Sequence, residues 1–194
     1  MASNKLIVGI NDLQSKFPKI AEEWDYERNY PLTPNKVAYG SGKKVWWKCK
    51  NGHFWKESVN NRTNGRNCPI CSGHKVLAGF NDLATLRPDL VKEWNYERNG
   101  DLKPDMVTPY SNKKVWWKCK LGHEWEAIIG SRTKGNGCPF CNNRFVLSGY
   151  NDLETLKPDL IKEWNYKRNG DLKPNMIAPY SNRKVWWICE KGHE

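Results

Sequence analysis

A chain of 194 residues carrying a formal net charge of +11, with 38% hydrophobic residues, has no apolar run near the roughly 18 residues needed to span a bilayer. Its cysteines number seven, an odd count that argues against a disulfide framework. The opening "MASNKLIVGIND" lacks the basic region and long apolar stretch of a secretion signal. These features predict a soluble protein of a cytoplasmic or other reducing compartment, and the basic excess favours a polyanionic partner over a membrane.

One period organises the whole sequence. Cys49, Cys119 and Cys189 are 70 residues apart, as are Trp24, Trp94 and Trp164, and as are the "NDL" triplets that start at Asn11, Asn81 and Asn151. A unit of that size seldom buries enough apolar surface to fold without a staple, whether disulfide, metal or neighbouring copy. The expected domains are residues 1–74, 75–144 and 145–194, the third lacking the second half of its motif.

The middle unit shows the predicted elements in order. "NDLATLRPDLVKEWNYERNG" sets Leu83, Leu86, Leu90, Val91 and Trp94 at helical spacing, which predicts a short turn capped by Asn81 or Asp82 and then a helix from about Pro88 to Tyr96. "DLKPDMVTPYSNKK" reads as an irregular connector. "KVWWKC" alternates as a strand, with Val115, Trp117 and Cys119 on one face and Trp116 and Lys118 on the other. A turn at Gly122 reverses the chain into "EWEAIIGSRT", the second strand of a hairpin, and "KGNGCPFCNNR" closes the unit in a tight loop. The expected fold class is therefore a small α+β zinc-stabilised repeat: a short helix and a β-hairpin, in two complete copies and a truncated third.

The metal follows from spacing. Cys49 and His53 have three residues between them, and Cys68 and Cys71 follow after fourteen more; Cys119, His123, Cys138 and Cys141 repeat the arrangement. Two ligand pairs on two tight turns each supply one edge of a tetrahedron, the geometry of a structural Zn2+ site. Four protein ligands leave no open coordination position, so catalysis is not expected. Two zinc ions per chain are predicted. Cys189 and His193 have no "CPxC" partner, and the apolar residues Leu153, Leu156, Leu160, Ile161 and Trp164 are expected to serve as a terminal cap on the second unit.

The ordered elements "EW", "VWWKC", "GHxW" and "CPxC" resemble the zinc-ribbon repeat family, which is related to ribbon and treble-clef zinc fingers. The resemblance covers nearly the whole chain. It implies tandem zinc modules, found alone or attached to nuclease-like domains, that bind DNA.

Charge within the unit is segregated: Asn81–Leu102 has a net charge of −2 and Lys103–Arg144 one of +5. The candidate nucleic-acid contacts are Lys43, Lys44, Trp46, Lys48, Lys50 and Arg62, then Lys113, Lys114, Trp116, Lys118, Lys120, Arg132 and Lys134, then Arg183 and Lys184. Lysines would meet phosphates, Trp46 and Trp116 would stack on bases, and Arg62 and Arg132 would reach a base edge or phosphate. The competing roles are a solvated surface for the lysines, a core position for the tryptophans and a loop-holding hydrogen bond for the two arginines. Two alternatives stand beside a DNA-binding protein: a zinc-stabilised array that docks a protein partner, and the targeting part of a larger nuclease.

Overall fold

Each repeat is built around a pair of tryptophans that meet edge to face. In the computed structural model, which describes residues 5–194, Trp24 meets Trp47 at 5.6 Å, Trp94 meets Trp117 at 5.4 Å, and Trp164 meets Trp187 at 5.3 Å. The start of the first expected domain, and part of the opening read against a secretion signal, lie outside the described residues. The chain divides into two compact units, one running to Pro88 with Pro104–Pro109, the other Asp89–Lys103 with Tyr110–Glu194.

The first unit contains the helical turns α1 (Leu13–Lys16), α2 (Pro18–Ala21) and α3 (Tyr26–Asn29), the strands β1 (Lys44–Lys48) and β2 (Phe54–Ser58), and then α4 (Val59–Thr63) and α5 (Leu83–Leu86). Asp12 caps α1: its carboxylate accepts from the Ser15 amide at 2.9 Å and from the Gly9 amide, satisfying donors that a helix start leaves free. β1 and β2 pair antiparallel with Trp47 opposite Trp55. The core gathers Leu13, Ala21, Trp24, Val37, Val45, Trp47, Trp55 and Val59, so one face of the hairpin lies on the helical turns.

In the second unit follow α6 (Pro88–Val91, whose first residue belongs to the other unit), α7 (Tyr96–Asn99), β3 (Lys114–Lys118), β4 (Glu124–Ile128), α8 (Ile129–Thr133), α9 (Leu153–Leu156) and α10 (Tyr166–Asn169). Leu90, Trp94, Val115, Trp117, Trp125 and Ile129 are buried there. The third repeat has a smaller core of Leu153, Trp164 and Ile177, with Ile161, Leu172, Val185 and Trp187 against it. No helix among the described residues is long and apolar enough to cross a membrane.

Two expected elements differ from those observed. The helix expected from Pro88 to Tyr96 ends at Val91, because the next residues extend along the free edge of β3. The Lys118 amide donates to the Glu93 carbonyl at 2.7 Å, the Asn95 amide donates to the Trp116 carbonyl at 3.2 Å, and Trp94 bridges to Trp117. Asn95 then restarts a helix, its side chain accepting from the Arg98 amide. The strand expected to run through "EWEAIIGSRT" stops at Ile128, and the chain turns into α8.

The cap expected of the third repeat is also different in kind. Leu156 and Leu160 are 50% and 43% exposed, so that helical face does not form it. Tyr150, just before α9, meets His123 edge-on instead, and Asn151 bonds the Phe140 carbonyl between Cys138 and Cys141.

Candidate metal centres and the hairpin face

The first ligand pair of each site sits on a turn closed by two backbone hydrogen bonds. The Gly52 amide donates to the Cys49 carbonyl at 2.9 Å and the Cys49 amide to the His53 carbonyl at 3.1 Å. Gly52 has φ +79°, a left-handed conformation that glycine adopts without the steric cost of a Cβ. The same turn recurs from Cys119 to His123 and from Cys189 to His193. The second pair sits on the "CPxC" turn, where the Ser72 amide reaches the Cys68 carbonyl and the Lys75 amide the Pro69 carbonyl.

The folded chain brings the pairs together. In the first set Cys49 Sγ is 3.5 Å from His53 Nδ1 and 3.7 Å from Cys71 Sγ, and His53 Nδ1 lies 3.2 Å from Cys71 Sγ and 3.7 Å from Cys68 Sγ. In the second, Cys119 Sγ is 3.5 Å from His123 Nδ1 and 3.8 Å from Cys141 Sγ. A tetrahedral zinc bound by thiolates and imidazole at its usual bond lengths has edges of about 3.8 Å between sulfurs and about 3.6 Å between sulfur and nitrogen. The ligand atoms of each set all lie within 4.8 Å of one another, and every cysteine is a free thiol. Three thiolates and one imidazole form a closed, structural zinc set, and the chain holds two such sites. Cys189 and His193 belong to neither.

Thiol electrostatics fit metal ligation. Burial works to raise the Cys49 thiol, but the His53 and Asn51 amides and the Cys71 and Cys68 sulfurs outweigh it and hold Cys49 below its ordinary value. Cys119 is lowered in the same way, against burial, by the Leu121 and His123 amides and its sulfur neighbours. Burial first, and the adjacent sulfurs with it, push Cys68 and Cys141 up to about 11. Such crowded thiols resist ionising together until a cation takes their charge, which is what zinc supplies.

A ring from the following linker covers each histidine. Phe80 meets His53 edge-on at 4.4 Å, and Tyr150 meets His123 at 4.1 Å. The next residue ties down the metal turn: Asn81 Nδ2 donates to the Ile70 carbonyl at 2.7 Å and Asn151 Nδ2 to the Phe140 carbonyl at 3.1 Å. The first site also has a side-chain donor to its exposed cysteine. Asn51 Nδ2 reaches Cys71 Sγ at 3.3 Å; in the second site Leu121 stands in the place of Asn51, and burial first, then the nearby Cys141 sulfur, raises the Tyr150 hydroxyl above its ordinary value.

A family model described as "probable treble clef zinc finger domain" matches residues 20–74, 90–144 and 160–194. The chain belongs to this family. No curated protein matches it.

On these treble clef modules, Lys43, Lys44, Lys48, Lys50, Lys113, Lys114, Lys118, Lys120, Lys134, Arg183 and Lys184 are all exposed. Trp46 and Trp116 are half-buried, and Trp47 and Trp117 fully so. Arg62 and Arg132 are corrected. They are 6% and 4% exposed, Arg62 pairs with Glu23 at 2.6 Å, and Arg132 pairs with Glu93. Their guanidiniums lie over the core rings Trp47 and Trp117 at 5.9 and 5.1 Å. They brace the α4 and α8 turns against the extended segment beside the hairpin and are not available to a nucleic acid.

Several site-building residues escaped the motif reading. Asn29 acts as a missing strand: the Trp46 amide donates to its Oδ1 at 2.9 Å while its Nδ2 donates to the Trp46 carbonyl at 2.7 Å. Asn99 and Asn169 do the same for Trp116 and Trp186. The arginine before each lies over a ring, Arg98 at 3.4 Å from the centre of Trp116 and Arg168 at 3.9 Å from that of Trp186. Their signal was the 70-residue recurrence of "RN" at Arg28, Arg98 and Arg168.

Proposed function

We propose that the chain is a tandem zinc-stabilised nucleic-acid-binding protein, acting on DNA chiefly through backbone phosphates, in a reducing intracellular compartment. The supporting observation is that the hairpin lysines, recurring in each complete repeat, are exposed while the zinc, the paired tryptophans and the buried arginines hold the strands that carry them. Small modules have modest affinity singly, and repetition along one polyanion raises it by effective concentration. The role is binding rather than catalysis, since both ligand sets are complete without a substrate position.

The test is a titration of the zinc-loaded chain against DNA at two salt concentrations. Affinity should fall with salt, with a logarithmic slope of about 0.9 per phosphate contacted on duplex or about 0.7 on single strands. A folded, zinc-loaded protein that bound no nucleic acid at low salt would replace this reading with a protein-docking array.

A further inference from the structure

The two complete hairpins are not equivalent. Their first strands are identical in sequence over Lys44–Lys48 and Lys114–Lys118, but the partner strands differ where they face those lysines. In the second hairpin Trp116 is opposite Glu126 and Lys118 opposite Glu124. Glu126 binds Lys114 at 2.8 Å and Glu124 binds Lys118 at 3.2 Å; Glu124 also lies 3.6 Å from Arg98. The outward lysines of that hairpin are matched one for one by carboxylates. In the first hairpin Trp46 is opposite Lys56 and Lys48 opposite Phe54, so Lys44, Lys48 and Lys56 form an unmatched cationic face.

That face also has flat surfaces. Phe54 is 38% exposed, Arg28 lies 3.8 Å over its ring and 5.8 Å from the centre of Trp46, and Asp25 holds the guanidinium at 2.7 Å. Beside these groups opens a cleft of about 950 Å³ whose walls include Trp46, Phe54, Lys56, Arg66 and Lys75. Glu57 also lines it, its carboxylate engaged by Asn61 at 2.9 Å and by the Ser58 amide at 2.8 Å and lying 3.9 Å from Arg66, so among the described residues the lysines are left without a carboxylate of their own.

We infer that the first hairpin, and not the second, is the principal nucleic-acid surface, and that its ligand is a single strand. This rests on the nucleic-acid reading above and deepens it. Lysines around a ring and a guanidinium plane suit phosphates alternating with unstacked bases; a duplex keeps its bases stacked and offers nothing to the ring. Carboxylates on the second hairpin repel phosphate and occupy the very lysines that would meet it.

The experiment exchanges the distinguishing residues in the full zinc-loaded chain: Phe54→Glu with Lys56→Glu in one variant, Glu124→Phe with Glu126→Lys in the other. Binding is read by fluorescence anisotropy with one DNA oligonucleotide, single-stranded and as a duplex, and zinc content and circular dichroism confirm folding. The first variant should lose about tenfold or more in single-strand affinity, and the second should gain. Lys114→Gln with Lys118→Gln should change affinity much less than Lys44→Gln with Lys48→Gln. Equal losses from the two lysine pairs, or a duplex preference in the unmodified chain, would overturn the inference while leaving nucleic-acid binding intact. No binding by the unmodified chain would remove both readings.

Discussion

Tyr150 stands edge-on to the imidazole of His123, ring centroids 4.1 Å apart and planes at 70°. Phe80 holds the same place on the first site, where Asn51 also donates to the exposed Cys71 sulfur. Leu121 occupies the position of Asn51 in the second set. The two sites therefore share the covering ring and differ in the donor beside the exposed cysteine.

Partners of metal ligands tune affinity, and losing one typically costs about 10- to 100-fold. Asn51→Leu should weaken zinc at the first site by about tenfold at least, leaving the second unchanged. Leu121→Asn should tighten the second site by a similar factor. Competition with a chromophoric chelator, resolving two classes of site, measures both.

Cys68→Ser should reduce bound zinc from two to one and unfold the first hairpin, because the site is part of its folding free energy. The damage should also extend past the ligand turn to Phe80, Asn81 and α5, since these residues rest on that turn. Hydrogen exchange should show lost protection at residues 77–86 with the β3–β4 hairpin protected as before. Undiminished protection at 77–86 would mean that the contact carries no coupling.

Asn99→Ala removes an acceptor from the Trp116 amide and a donor to its carbonyl. Loss of such a partly buried pair should cost about 1–3 kcal/mol, read as a lower urea midpoint in the zinc-loaded chain. Asn99→Asp keeps the acceptor alone and should fall between the two.

Asp82 is fully buried, and its carboxyl lies below the usual carboxylate range: burial pushes it up, but the Thr85 hydroxyl and amide and the Gly79 amide outweigh that. A depressed carboxylate contributes stability that is present above its unfolded value of about 3.9 and is lost as pH falls through the lower folded value. Asp82→Asn should therefore melt below the unmodified chain at neutral pH. The gap should stay constant down to about pH 5 and close below about pH 4. Thermal melts across this range check the sign.

Much of the module was legible in the sequence because its chemistry is local. The Cys/His spacing names the ligands, and alternation in "KVWWK" names the buried tryptophan of each pair. The early end of the Pro88 helix was not legible, since a tertiary pairing with β3 overrides helical periodicity there. Arg62 and Arg132 read as surface cations because nothing local shows that Glu23 and Glu93, 39 residues upstream of each, come back to meet them. The difference between the hairpins was written plainly as "GHFWKES" and "GHEWEAI". Only the register, which sets each second-strand residue opposite a particular lysine or tryptophan, gives it a meaning.

The asparagine that ties each ligand turn belongs to the copy that follows, so a module's metal site is finished by its successor. An array made this way has a polarity. A new copy placed after an existing one completes its predecessor's centre, whereas the same copy placed in front must find its own centre completed by the residues already there. Lengthening the tandem therefore needs only that each junction keep an aromatic residue followed by "ND", a rule short enough to survive duplication at any register that preserves the 70-residue step.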